Sequence, residues 1–302
     1  MVTLNALRKE LEARLRKRGI EEAELDACLL ISHVVPVTEI DFAINRTLEI
    51  TSQQLKAIEA LVHKRENRIP MSQIFGEKEF WSLNFKVTKD TLTPRPDSET
   101  LIEVSLKEIA DKEAPLLILD LGTGSGCLLL TLLSELKGSS GFGVDISVQA
   151  LEVASTNATN LNLDNRAKFI NSNWFENLSE NDQFDIIISN PPYIGLEEKP
   201  DLSPEVIENE PHRALFSGEK GLDDYKKIAA GISHFMNEEA FIILEIGYKQ
   251  AASVRDIFSE AGFKKIHIFQ DLGGRDRCLL IRPEPDFLKK MKKTLGFYIL
   301  AR

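Results

Sequence analysis

The chain has 302 residues, with 37 Lys and Arg against 47 Asp and Glu, so it carries a net charge of −10 and is long enough for one large core plus a smaller one. The charge is uneven: residues 1–70 balance at zero and 284–302 carry +3, leaving −13 on 71–283, which argues against stable binding of a phosphate backbone there. Three scattered cysteines (Cys28, Cys127, Cys278) and five histidines without paired spacing exclude a disulfide framework or a metal centre as the expected organising feature, so reduced thiols and no metal are expected.

The N-terminus lacks the apolar segment of a signal peptide and no run reaches the length of a membrane span, so a cytoplasmic protein without membrane contact is expected. Leu4, Leu7, Leu11 and Leu15 lie at helical spacing over 4–18, and Gly19 is placed to end that helix. A second helix is predicted over 21–34 with Leu25, Cys28, Leu29 and His33 on one stripe, then a short helical piece near 38–45. Thr51 or Ser52 then caps a helix running through Leu55, Ile58, Leu61, Val62 and Arg65. These elements make a small helical domain over 1–75. Its basic cluster, Arg14, Arg16, Lys17 and Arg18, reads first as a solvated helix face and second as a docking site.

The alternation from Phe80 to Val87 predicts a β-hairpin, which serves as a linker over 76–90. Thr93-Pro94-Arg95-Pro96-Asp97-Ser98-Glu99 follows, a proline-stiffened entry to a helix capped by Asp97 or Ser98. It is equally readable as a wall beside an active site, with Arg95 and Glu99 fixing loops. Beyond Pro115, strands (116–121, 140–145, 167–171, 184–189, 240–246, 264–270, 278–282) alternate with helices (125–136, 147–160, 224–235, 248–261). That order predicts a doubly wound, mostly parallel sheet in an α/β domain over 91–283, followed by a basic tail over 284–302.

The first of these strands ends in Asp120 and Leu121 and runs into Gly122-Thr123-Gly124-Ser125-Gly126 before a helix. Alternate glycines allow a tight turn and let a ligand lie on the backbone at a helix N-terminus. Spacing of the form G-x-G-x-G, with the Asp120 carboxylate before it, disfavours a pyrophosphate and suits a ligand bearing ammonium and sulfonium groups, which implies S-adenosylmethionine. Asp145, at the end of the second strand, suits ribose hydroxyls, with capping of the helix at Ser147 as its competing role. Trp174 offers a face for a purine, or else fills the core.

Ser189-Asn190-Pro191-Pro192-Tyr193 ends the fourth strand of the domain. Two prolines lack N–H groups and stiffen the chain, so this edge mostly accepts hydrogen bonds. An NH2 group of a substrate could give one proton to the Asn190 side-chain oxygen and the other to the Pro191 carbonyl, with Tyr193 closing over it. The alternative is that Asn-Pro-Pro simply makes a turn.

Taken together, Asp120 to Gly126, Asp145 and Asn190-Pro191-Pro192-Tyr193 resemble the class I S-adenosylmethionine-dependent methyltransferases. With Pro94 to Glu99, Glu210-Pro211, Ala214-Leu215-Phe216, Gly221-Leu222, Glu245-Ile246-Gly247, Asp271-Leu272-Gly273 and Arg277, the chain more narrowly resembles the release factor glutamine methyltransferases. The resemblance implies a seven-stranded class I sheet, with Asp120, Gly122, Thr123, Gly124, Ser125 and Gly126 at the methionine part of S-adenosylmethionine, Asp145 at the ribose, Trp174 at the adenine and Asn190 beside the cofactor. It implies that Asn190, Pro191, Pro192 and Tyr193 bind the substrate, with Asn190, Pro191 and Tyr193 catalytic. The implied substrate is the glutamine of a Gly-Gly-Gln loop in class I peptide chain release factors, gripped in part by the helical domain, and a monomer is expected. The family often has an aspartate and an aromatic where this chain has Asn173-Trp174, and Glu where it has Asp97. The competing activity is methylation of an exocyclic amine in nucleic acid, which presents the same two-proton edge and which the acidic core disfavours.

Overall fold

The computed structural model describes residues 2–284 and Leu288, so the basic tail expected over 284–302 lies almost wholly outside the described residues. The chain divides into two compact units, Met1–Gly76 with Ser203–Asn209, and Glu77–Leu202 with Glu210–Arg302.

In the first unit, Thr3 caps α1 (Leu4–Lys17) by accepting the Ala6 N–H, and Leu4, Leu7, Leu11 and Leu15 are buried as their spacing predicts. The short strands β1 (Val2–Thr3) and β2 (Thr47–Leu48) pair antiparallel. Gly19 adopts φ +72°, a left-handed geometry that stops the helix. Next come α2 (Ala23–Val34), α3 (Glu39–Ala43), α4 (Ser52–Glu66), entered through a Thr51/Gln54 capping box, and α5 (Met71–Phe75). One expectation fails at α2, where Leu25 and Leu29 are 53% and 40% exposed while Ala27, Leu30 and Ile31 are buried. Apolar residues lie on several faces of this helix, and the buried one also carries an ion pair: Asp26 accepts from Arg65 Nε at 2.7 Å, and Arg65 Nη1 also reaches Glu205 at 3.1 Å. The basic cluster is partly consumed, since Arg14 makes paired contacts to Glu59 at 2.7 and 2.6 Å and reaches Glu66.

The second unit opens with the hairpin of β3 (Glu77–Phe80) and β4 (Leu83–Lys86), whose turn residues Trp81 and Ser82 both take positive φ. Then come α6 (Glu99–Glu108), β5 (Leu117–Leu121), α7 (Cys127–Glu135), β6 (Ser140–Asp145), α8 (Val148–Asn160), β7 (Ala167–Asn171) and β8 (Phe184–Ser189). After α9 (Pro204–Asn209), which belongs to the first unit, follow α10 (His212–Leu215), α11 (Asp223–Gly231), β9 (Met236–Glu245), α12 (Ala251–Glu260), β10 (Lys265–Gln270) and β11 (Asp276–Arg282). The seven-stranded sheet runs β10-β11-β9-β8-β5-β6-β7, parallel except at β11. The strand order reverses between β5 and β8, and open α/β sheets bind ligands outside the carboxyl ends of strands at such a point. Alternate residues feed two cores, Leu119, Ile187 and Ile242 on one face and Ile118, Ile186, Ile188 and Ile243 on the other.

One local expectation changes, and one region went unread. Neither Asp97 nor Ser98 caps α6, because Asp97 pairs with Arg277 at 3.0 Å and the Ser98 hydroxyl turns to Glu245. The short helices between Ile194 and Phe216 carry too few turns for an apolar period to reveal them.

Ile187 is fully buried at the centre of the sheet, so Ile187→Ala should lower stability by about 2–5 kcal/mol through transfer and cavity costs. Leu272→Ala, at a fully exposed residue, should leave the thermal midpoint within about 1 °C of the parent by the small effect expected at surface sites. Equal midpoints for the two variants would contradict the assigned core.

Candidate active site

Register places the site. Leu121 of β5 and Ser189 of β8 are direct partners, and the Ser189 hydroxyl donates to the Leu121 carbonyl at 2.6 Å, so the segments beginning at Gly122 and Asn190 leave the sheet side by side. Gly122 and Thr123 then fold back to donate to the Val144 carbonyl of β6, both at 2.9 Å. A cavity of about 650 Å³ opens at this edge, within the range for small-molecule sites.

Of the residues singled out by sequence, Gly122, Thr123, Gly124, Ser125, Asp145, Trp174, Asn190 and Pro192 line this cavity. Asp120, Gly126, Pro191 and Tyr193 are absent from its wall. Gly124 has φ +55° and a Cβ added there would meet no atom within 4 Å, so its backbone faces open space. At Gly126 a Cβ would press on Leu130 and Ala154 at 3.1 and 3.2 Å, which makes that glycine a packing requirement of the turn into α7.

Asp120 is fully buried beneath the loop, and its Oδ2 accepts the Thr123 hydroxyl at 2.6 Å. Its Oδ1 has no hydrogen bond of normal geometry among the described residues, the Leu129 N–H offering only weak stabilisation. Burial pushes the carboxyl up to about 7, opposed by the Thr123 hydroxyl. Asp145 lines the cavity, its Oδ1 accepting the Ser147 N–H and its Oδ2 the Gly124 N–H, each at 2.9 Å, while the cap of α8 is Ser147, whose hydroxyl accepts the Ala150 N–H at 3.2 Å. Burial raises the Asp145 pKa, and the Ser147 and Gly124 N–H groups oppose the rise. Trp174 holds φ +53°, unusual for a bulky residue, with its carbonyl fixed by the Ser172 hydroxyl at 2.9 Å and its ring 3.8 Å from where a Cβ on Gly122 would stand.

Several contributors were given no role by the sequence alone. Buried Asn157 of α8 accepts from the Lys86 N–H at 2.7 Å and donates to the carbonyls of Lys86 and Ser125, tying the hairpin to the glycine loop. Glu245, at the end of β9, accepts from Ser98 and from the Tyr193 hydroxyl, the latter at 3.3 Å, and burial pushes it up to about 7. A carboxylate at the close of an apolar strand, where Asp120 also lies one residue before the end, was the available cue. Gln250 donates to the Tyr193 carbonyl at 2.8 Å, and Gly221 has room for no Cβ against that same carbonyl. As the sequence allowed, Arg95 and Glu99 fix loops, Arg95 on Glu210 at 2.6 Å and Glu99 on the Trp81 N–H at 2.9 Å. Among the described residues no group of three or more His, Cys, Asp or Glu is arranged to hold a metal ion.

A seven-stranded, mostly parallel sheet with a glycine loop at its switch point and an Asn-Pro-Pro-Tyr segment beside it defines an α/β methyltransferase. Residues 98–219 match the family model "Methyltransferase small domain", and the fold is shared with the hMettl16 catalytic domain crystallised with MAT2A 3′UTR hairpin 1 (TM-score 0.56, 16% identity, 80% of this chain and 85% of that one). Residues 6–76 match "PrmC N-terminal domain". The chain is 40% identical over 272 residues to the release factor glutamine methyltransferase of Agrobacterium fabrum, covering 89% of this chain and 93% of that one, and it therefore belongs to the release factor glutamine methyltransferase family. It is also 38% identical to a "Bifunctional methyltransferase" of Rickettsia typhi, of which it spans 58%.

The pKa shift of Asp120 sets a pH test. A carboxyl raised from about 3.8 to about 7 on folding binds its proton more readily when folded, so its contribution to stability falls as pH rises through that window. Asp120→Asn removes this penalty. Its melting temperature relative to the parent should therefore rise from about pH 5 to about pH 8, and a difference independent of pH would contradict the shifted carboxyl.

Proposed function

We propose that the chain transfers a methyl group from S-adenosylmethionine to the side-chain amide nitrogen of the glutamine in the Gly-Gly-Gln loop of class I release factors. The observation that carries the reading is that the glycine loop and Asn190 share the wall of one cavity because Leu121 and Ser189 are in register. Family membership supplies the substrate class.

The residues present fit the cofactor. Gly124 leaves backbone exposed to open space, Asp145 keeps acceptor capacity for ribose hydroxyls, and Ile146 and Val148, half exposed, add apolar surface to the same cavity wall as Trp174. Bound S-adenosylmethionine supplies an electrophilic methyl on a positively charged sulfur. The protein must supply alignment, because an amide lone pair is delocalised into its carbonyl and is a poor nucleophile. Two acceptors, Asn190 Oδ1 and the Pro191 carbonyl, would hold both N–H bonds of the glutamine and aim the remaining lobe at the methyl. Both acceptors bind more tightly as the nitrogen becomes cationic, which favours the transition state over the ground state. Tyr193 would exclude water from the flat amide, and the nitrogen, once cationic, is acidic enough to lose its proton without a dedicated base.

Labelled S-adenosylmethionine and a release factor should give label on the intact Gly-Gly-Gln loop and none on its Gln→Ala version. Label that survives the change, or that goes to nucleic acid, would contradict the assignment. Asn190→Ala should lower turnover by about a hundredfold or more while calorimetric cofactor affinity stays within about threefold. Near-normal turnover in that variant would remove Asn190 from its role.

A further inference from the structure

Beneath the Asn190 segment a chain of hydrogen bonds runs from Asn190 through Ser98 to Glu245. Glu245 is 1% exposed; its Oε2 accepts the Ser98 hydroxyl proton at 2.5 Å and its Oε1 accepts from the Tyr193 hydroxyl at 3.3 Å. Ser98 Oγ in turn accepts from Asn190 Nδ2 at 3.2 Å. The neighbouring groups are Asp97 and Arg277, paired at 3.0 Å, Tyr225, whose hydroxyl donates to the Glu245 carbonyl at 2.8 Å, Cys278, opposite Glu245 on β11, and Cys127 of α7.

We propose that ionised Glu245 is the positioning residue that, through the Ser98 hydroxyl, sets which end of the Asn190 amide faces the methyl acceptor. The proposal rests on reading Asn190 as the acceptor of a substrate N–H. The two ends of a side-chain amide are nearly the same size and differ only in that one accepts and the other donates. A serine hydroxyl has a single proton. While Glu245 is ionised it can only accept, so Ser98 gives it that proton and has only a lone pair to offer Asn190. Asn190 must then present its NH2 to Ser98, which leaves Oδ1 for the substrate.

A neutral Glu245 breaks this polarity. It carries its own proton, which can face Ser98 Oγ and free the serine proton to point at Asn190. The amide then turns Oδ1 inward and offers the substrate an NH2, which cannot accept. Tyr193 shares the same carboxylate, so one ionisation holds both the amide and the ring. Burial pushes Glu245 up to about 7, with Ser98 and Arg277 opposing the rise and Asp97 reinforcing it. Its charged fraction therefore changes within the neutral range, and turnover should rise with pH as Glu245 ionises.

The test uses the full chain with 15N-labelled asparagine and follows the Asn190 side-chain NH2 signal, assigned by its loss in Asn190→Ala, from about pH 5.5 to about pH 8.5. In the parent the signal should shift with a midpoint near 7, and the shift should vanish in both Glu245→Gln and Ser98→Ala. In both variants turnover on the release factor should fall about tenfold or more and lose its rise with pH, while calorimetric affinity for S-adenosylmethionine stays within about threefold. An Asn190 signal that still titrates in Ser98→Ala, or turnover within about twofold of the parent in that variant, would overturn the proposal. Ser98→Ala keeps the test decisive if Glu245→Gln fails to fold. A coupled titration in a parent that methylates no release factor would uphold the relay and contradict the proposed substrate instead.

Discussion

The whole site depends on one pairing: Leu121 beside Ser189 in adjacent parallel strands, clamped by a side-chain hydroxyl on a main-chain carbonyl. A shift of one residue in that register would turn every side chain of β8 to the opposite face, sending Ile187 out of one core and Ile186 and Ile188 out of the other. Burial of these residues on both faces therefore fixes the register, and the register fixes where two loops, 68 residues apart in sequence at this clamp, leave the sheet. The chemistry of each loop is local, but their adjacency is a property of the core.

Around this clamp the fold keeps two carboxylates out of water, Asp120 beneath the glycine loop and Glu245 beneath the Asn190 segment. Each lies within one residue of the end of an apolar strand, and each receives a hydrogen bond from a hydroxyl, Thr123 in one case and Ser98 in the other. Burying a carboxylate is unfavourable, as the upward shift of both groups records. The consequence is loops held by directional bonds to a group that cannot move. Tyr193 is held at both ends in this way, by its hydroxyl on Glu245 and by its carbonyl on Gln250.

The sequence revealed what chemistry requires within a few residues of chain. The alternating glycines, Asp145, and the two prolines after Asn190 announce a close backbone approach, an acceptor and a stiff donor-poor edge, and the alternation of strands and helices announces the sheet. It concealed what depends on distant partners. Asn190 and Ser98 are 92 residues apart and Ser98 and Glu245 are 147 apart, so the sequence read Ser98 as a possible helix cap and gave Glu245 no partner. The inward face of α2 was concealed for a related reason: leucines lie on several sides of that helix, and the buried side carries Asp26, whose partner Arg65 is 39 residues away. Asp120 and Gly126 were legible as notable positions; Asp120 lies buried beneath the loop, and Gly126 sits in the close-packed turn into α7.

The most direct test of this account is a crystal structure of the chain with S-adenosylhomocysteine and a Gly-Gly-Gln release factor domain. The account predicts the glutamine amide nitrogen within about 2.7–3.2 Å of both Asn190 Oδ1 and the Pro191 carbonyl, with Asn190 Nδ2 still on Ser98. A glutamine bound away from Asn190, or an Asn190 that turns its NH2 toward the substrate, would contradict it.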